Sequence, residues 1–201
     1  MRLVSLSVVL ALFAAGCANP VAQYTAQKYW DGATAAEKRG DWRGARSIWK
    51  ETIPRVRMAG ATDRQVSIAL YEYGRSSGVI CDWPEAERGL KAALEIDARV
   101  KGPETMSLVE LARLNLAQSK YDQARAYFAK AFALFKGQDV ETTDPIGYAD
   151  VLDAYATSIE KSSSPEPTKE FRDRAAQLRA TFPNGASHTD ITPYGTQCNA
   201  P

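Results

Sequence analysis

The chain has 201 residues, 45% of them apolar and 24% charged, which suits one soluble globular or repeat domain. Its formal net charge is +1, with no basic run. That balance argues against nucleic acid as a partner and gives no support for a polybasic membrane surface.

The first element in chain order is a leader. In "MRLVSLSVVLALFAAGC", Arg2 precedes an apolar run from Leu3 to Ala15, and small residues follow. This is the three-part layout of a secretory signal, too short to span a bilayer, so residues 1–16 are read as a signal peptide. The junction Ala14-Ala15-Gly16-Cys17 resembles a bacterial lipobox, with Ala14 where leucine is most usual. The resemblance implies a lipoprotein: a diacylglyceryl thioether on Cys17, an acylated amine, and a lipidated linker over 17–20. Several acyl chains, at about 0.8 kcal/mol per buried methylene, would hold the protein on a membrane. Ala18 rather than aspartate follows the cysteine, which by resemblance to enterobacterial sorting favours the outer membrane, facing the periplasm. Ordinary signal-peptidase cleavage is the alternative, because Ala14 and Gly16 also fit a small-x-small site. In either case Arg2 leaves with the signal and the mature chain is neutral.

The body of the chain reads as helix throughout. Apolar spacing of three and four predicts helices over 21–39, 42–59, 63–79, 84–100, 104–118, 121–136, 145–161 and 167–182. Pro84 and Pro145 suit a first helical turn, where a missing N–H is no loss. "AGATD" (59–63) and "VKGPE" (100–104) read as connections, and "SSSPEP" (162–167) breaks the last pair of helices. Residues 183–201 have no helical period and are read as an extended tail.

An internal repeat organises these helices. "GDWRGARSIWKETI" (40–53), "CDWPEAERGLKAAL" (81–94) and "SKYDQARAYFAKAF" (119–132) share an aromatic, two variable residues and an alanine: Trp42/Ala45, Trp83/Ala86 and Tyr121/Ala124. Four residues beyond each alanine stands Trp49, Leu90 or Phe128, and three further on Thr52, Ala93 or Ala131. The preceding helices carry matching slots at Leu70, Tyr73 and Gly74, at Leu108, Leu111 and Ala112, and more weakly at Tyr29, Gly32 and Ala33. A degenerate fourth copy has Leu152, Tyr155 and Ala156, then Phe171 and Ala175, with Thr168 in place of the turn alanine. Two antiparallel helices approach closely only where side chains are small, while the large apolar slots face the neighbouring helix and the next repeat. This pattern resembles the tetratricopeptide repeat (TPR). Its spacings of 41, 38 and 44 residues exceed the usual period of about 34 and look more like the longer units of the kinesin light-chain type. The resemblance implies an all-α, right-handed superhelical solenoid of about four helix pairs over 21–182, followed by the tail.

It also implies where a partner would sit. In TPR folds the first helix of each pair lines the concave face. The family's groove positions fall on Gln27, Trp30 and Thr34, on Ile68, Tyr71 and Arg75, on Met106, Val109 and Arg113, and on Asp150, Asp153 and Thr157. Trp30, Tyr71, Met106 and Val109 would form an apolar strip flanked by Arg75 and Arg113, with Asp153 beyond; aromatic and arginine anchors are what an interface core favours. The alternative is that Trp30 packs internally and the arginines are solvated. The carboxylate clamp of chaperone-binding repeats is not expected, because its slots here hold Trp30, Thr34, Glu72, Met106 and Glu110.

No chemistry competes with this reading. The one histidine, His188, is in the tail, and no C-x-x-C, H-E-x-x-H or C-x-x-C-H spacing occurs. No catalytic set, metal or cofactor is expected. The function expected is therefore an envelope scaffold holding a protein or peptide partner in its groove during assembly or secretion. The alternative is a structural or regulatory lipoprotein whose groove is filled by its own tail. A remote alternative, an envelope hydrolase, lacks a catalytic constellation.

Cysteine parity adds one expectation. If lipid takes Cys17, Cys81 and Cys198 remain as an even pair in an oxidising compartment. The 15 residues from Pro183 to Cys198 reach at most roughly 50 Å, against roughly 20–40 Å back along two repeats. A Cys81–Cys198 disulfide is therefore reachable. The other possibility is a buried Cys81 thiol with Cys198 free or pairing between molecules.

Overall fold

The computed structural model describes residues 19–187 and 190–198; the leader, Cys17 and His188 lie outside them. Four of its helices start where a side chain accepts from a free backbone N–H group of the first turn. α1 (Pro20–Lys38) opens on Asn19, whose side chain accepts from the Val21 N–H at 3.0 Å. α2 (Trp42–Met58) opens on Asp41, which accepts from the Gly44 N–H at 2.9 Å. α3 (Asp63–Val79) has a reciprocal capping box between Thr62 and Gln65. α4 (Trp83–Val100) carries Pro84 in its first turn. Its preceding residue, Asp82, accepts instead from Arg46 Nη2 at 2.6 Å and ties the second repeat to the first. α5 (Glu104–Ala117), α6 (Tyr121–Phe135) and the one-turn α7 (Val140–Thr143) follow. α8 (Pro145–Glu160) is capped by Asp144 through the Gly147 N–H at 2.9 Å, and α9 (Lys169–Thr181) is the last helix among the described residues.

The turns inside the repeats share one device. Gly40, Cys81 and Ser119 each stand two residues before the aromatic that starts the second helix, with φ of 73°, 66° and 57°. A single left-handed residue ends the first helix and reverses the chain. Glycine adopts it freely, whereas Cys81 and Ser119 carry a penalty of about 1–2 kcal/mol.

The repeat slots become the core. Ala45, Ala86 and Ala124 are completely buried at the crossings, as are Leu90 and Phe128, and Trp49 nearly so. Thr52, Ala93 and Ala131 fill the next turn, also completely buried. The tightest crossing is between α3 and α4. A Cβ on Gly74 would stand 2.9 Å from the Leu90 backbone nitrogen, and one on Gly89 would stand 2.9 Å from the Leu70 carbonyl oxygen. α1 packs on α2, α3 on α4, α5 on α6 and α8 on α9, and α2–α3, α4–α5 and α6–α8 contacts stack the pairs. The result is an all-α solenoid of four helix pairs. Each fully buried Leu or Phe contributes about 1.5–3 kcal/mol, and the stacking is what provides that burial.

The fourth pair departs from the others. α7 is an unpredicted turn of helix, and it accounts for part of the longer spacing before α8. Its neighbourhood is aromatic: Phe132 stacks on Tyr155 with centroids 4.8 Å apart, and Phe171 lies 5.0 Å from Tyr155. Rings thus replace the regular alanine crossing where Thr168 stands in the alanine slot. Among the described residues no helix is long and apolar enough to cross a membrane.

Candidate binding groove

Successive first helices place the groove residues side by side. Tyr71 of α3, Met106, Val109, Glu110 and Arg113 of α5, and Tyr148 and Val151 of α8 line one recess, with a cavity volume of about 180 Å³. Phe135, Gln138 and Val140 close its far side. Met106 is exposed at its mouth while Tyr71 and Val109 are buried in its wall. Trp30 is elsewhere. It meets Trp49 edge-on, with centroids 5.1 Å apart, and lines a second recess of about 320 Å³ with Gln27, Gln65 and Ile68. The apolar strip is therefore divided into two recesses.

Residues 190–198 turn back onto α3 and α5. Thr192 donates its hydroxyl to Glu110 Oε2 at 2.6 Å and accepts from Arg75 Nε at 2.7 Å. The Tyr194 hydroxyl donates to the same Glu110 oxygen at 2.7 Å. The Tyr194 ring lies on Gly78, where an added Cβ would meet ring carbons at 2.5 Å. Gly195 and Gln197 donate their N–H groups to the carbonyls of Gly78 and Val79 at 3.2 and 3.0 Å. Beyond them a disulfide joins Cys198 to Cys81, with Cα atoms 4.9 Å apart.

The two arginines are already engaged. Arg113 donates to Glu110 Oε1 at 2.9 Å, an almost wholly buried pair, and Arg75 donates to Glu72 at 2.7 Å with both side chains mostly buried. Two carboxylates thus face two guanidinium groups at the groove floor, consistent with the rule that buried charge is paired. Burial, and then the Glu110 charge, push the phenols of Tyr71 and Tyr194 well above their ordinary range. Both therefore remain hydrogen-bond donors. Glu72 is pushed up by burial, with the Arg75 charge opposing. Behind it Glu37, which accepts from Trp49 Nε1 at 2.7 Å, is raised to about 7 by burial and then by the Glu72 charge.

Asp153 does not join the recess. Its carboxylate accepts from Arg172 at 3.0 Å and from Arg179 at 2.6 Å, and Asp150 accepts from Arg179 at 2.8 Å. These acids fasten α8 to α9, because α9 brings two arginines onto the α8 face that the TPR resemblance assigned to a partner. Glu110, Thr192 and Tyr194 are the polar centre that the spacing did not single out. The signal was present as the i,i+3 pair Glu110/Arg113 and the turn-forming run Pro193-Tyr194-Gly195. Among the described residues no group of three or more His, Cys, Asp or Glu could hold a metal ion.

No protein-family model and no curated protein matches this chain. Solved structures do. BtubC (BKLC) from P. vanneervenii superposes with a TM-score of 0.71 at 15% identity, over 85% of this chain and 69% of that one. The TPR2B domain of yeast Sti1, from its pHsp70 complex, gives a TM-score of 0.43 at 16% identity, over 78% and 99% of the two chains. MamA gives 0.47 at 13% identity, over 85% and 100%. The first of these likenesses shows a shared fold, and the buried alanine and large apolar slots show how this sequence makes it. The chain is an all-α solenoid of TPR-like helix pairs.

Proposed function

We propose that this chain is a lipid-anchored scaffold of the bacterial cell envelope that holds a protein segment in its concave groove. The observation that carries the reading is the recess between Tyr71, Met106, Val109, Tyr148 and Val151, apolar, open at Met106, and edged by Glu110 and Arg113. Such a surface suits an extended or helical segment with one or two apolar anchors. The Cys81–Cys198 disulfide suits an oxidising compartment, and the lipobox-like Cys17 suits attachment to the outer membrane on its periplasmic side. The role is one of binding, in assembly or secretion, and not of catalysis.

Two measurements test it. Metabolic labelling with palmitate should mark the wild-type chain and not Cys17→Ala; an unlabelled wild type ends the anchor. Crosslinked envelopes should yield one specific partner with the wild type, lost with Met106→Asp, an exposed position whose change spares the core. Equal recovery with both chains would remove the groove from the proposal. A second reading, a groove filled by the protein's own tail, has its own support: the tail occupies the Glu110 side of the groove and leaves the Met106 side open.

A further inference from the structure

Glu110 is 1% exposed, in the middle of α5, on a face that TPR geometry turns towards partners. A buried carboxylate is costly unless its oxygens accept several hydrogen bonds. Arg113 supplies one of them at 2.9 Å, and Thr192 and Tyr194 supply two more from outside the solenoid. The solenoid is shaped for that visitor. Gly78, near the end of α3, lacks the Cβ that would stand 2.5 Å from two carbons of the Tyr194 ring. Arg75 holds Thr192 in place through Nε.

Two further facts separate this seat from ordinary core. The tail's long-range backbone bonds are those of Gly195 and Gln197 to the Gly78 and Val79 carbonyls, which add to the C-terminal cap of α3 and not to its internal ladder. The seat is also continuous with the open recess, because Tyr71, Glu110 and Arg113 belong to both or border both. The tail therefore fills half of a longer channel and leaves the apolar half bare.

We infer that the Glu110 socket is the anchor subsite of the groove, that its ligand is a turn-forming peptide segment presenting hydroxyl donors two residues apart, and that residues 190–198 are a resident surrogate latched by the Cys81–Cys198 disulfide. A Thr-x-Tyr or Ser-x-Tyr segment satisfies the same three acceptor and donor positions. An acidic segment does not, since it would set a second carboxylate against Glu110. The inference deepens the scaffold reading and rests on its groove, though not on its lipid anchor.

The latch opens by thiol–disulfide exchange with a dithiol. One thiolate attacks Sγ of Cys198, which is an exposed residue, and Cys81 leaves as a thiolate that takes up a proton. The second thiol of the reductant resolves the mixed disulfide and releases Cys198. Two electrons and two protons pass to the protein, and the dithiol becomes a disulfide. Reduction does not remove the tail; it removes the covalent tie that makes its rebinding certain.

The test uses the full-length chain in detergent and a fluorescent peptide with the sequence of residues 190–197. Thr192→Ala/Tyr194→Ala/Cys198→Ser empties the socket without touching the solenoid. Its helical circular dichroism should match the wild type, and it should bind the peptide. A peptide with Phe in place of Tyr should bind at least about tenfold more weakly, the effect of one hydrogen bond to a charged acceptor. The oxidised wild type should show no binding over the same range. If the folded variant ignores the peptide, or takes the Phe form equally well, the socket is a structural seat and the inference fails. A second measurement needs no variant. On adding dithiothreitol to the wild type, amide exchange at Gly195 and Gln197 should accelerate at least about tenfold while α3 and α5 stay protected. Unchanged exchange refutes the latch. Failure to find lipid on Cys17 or an envelope partner would leave both results standing, so the two proposals fail separately.

Discussion

Gly78→Ala sets two effects of opposite sign against each other. Gly78 lies in the last turn of α3 with helical backbone, so alanine should favour the helix by about 0.8–1 kcal/mol. The new Cβ, however, would stand 2.5 Å from two carbons of the Tyr194 ring and 2.9 Å from Leu114 Cδ1. Leu114 is a flexible end and can shift. Tyr194 is fixed on both sides, by its hydroxyl on Glu110 and by the Gly195 N–H on Gly78 itself. Displacing the ring forfeits a hydrogen bond to a charged acceptor, about 1.5–3 kcal/mol, and opens the Glu110 oxygen to water. The loss exceeds the gain, so Gly78→Ala should destabilise the oxidised protein by about 1–2 kcal/mol. Urea denaturation measures the net, and amide exchange at Gly195 and Gln197 should report a loosened tail in the same variant. A higher denaturation midpoint with unchanged protection at those two amides would refute the reasoning, since it would mean that the ring does not rest on Gly78.

Three further outcomes are expected. Cys81→Ser/Cys198→Ser should lower stability by up to about 4–5 kcal/mol, the chain-entropy value for a closed loop of 117 residues, and Cys81→Gly/Cys198→Ser should recover about 1 kcal/mol because glycine accepts the φ of 66° there; thermal melts of the two pairs decide it. Gly74→Ala should cost about 1–3 kcal/mol despite its better helix propensity, because its Cβ would press on the backbone of α4, and a neutral denaturation midpoint would contradict the α3–α4 crossing. Glu37 has a folded value of about 7 against an ordinary 4.5, so its stabilising contribution is complete below about 4.5 and is lost as pH rises through about 7. Glu37→Gln keeps an acceptor for Trp49 and should therefore gain on the wild type by about 1–3 kcal/mol between pH 5 and pH 8, the lower end reflecting the water that reaches Glu37; parallel stability curves would rule this out.

The helix pairs were legible because their constraint is local and repeated. Ala45, Ala86 and Ala124 mark crossings where nothing larger fits, and the same arithmetic locates Trp49, Leu90 and Phe128. α7 was not legible, since four residues carry no period; in the fourth pair the Ala156 and Ala175 slots are buried as expected, but rings surround the place where Thr168 stands for the turn alanine. The groove was legible as positions but not as states. The resemblance to TPR repeats implies that Arg75 and Arg113 lie on the concave face, yet it cannot show that Glu72 and Glu110, three residues earlier in each helix, already hold them. Asp153 illustrates the converse: its face was right for a groove, but Arg172 and Arg179 arrive from a helix whose register the degenerate repeat concealed. Reach along the tail made a Cys81–Cys198 bond available. It could not place Tyr194 on Gly78, which is a contact between distant residues of no shared period.

On the proposed reading, what the groove would select follows from how the charges of its floor are paired. Glu110 is already matched by Arg113, so the socket has no spare positive charge to offer an incoming carboxylate. Arg75 is likewise matched by Glu72, and Asp190 adds to the negative charge felt there. On that reading, a group that can only accept would find no partner at Glu110, whereas a donor would. Tyr194 is a donor at any physiological pH because burial and Glu110 push its phenol upward. A buried ion pair adds little net stability of its own, since its desolvation offsets its attraction, but it penalises any occupant that leaves it unmatched. Under the same proposal, the charged floor would set specificity, the apolar recess beside it would supply contact area, and the Thr192–Tyr194 spacing is the one a partner would have to reproduce.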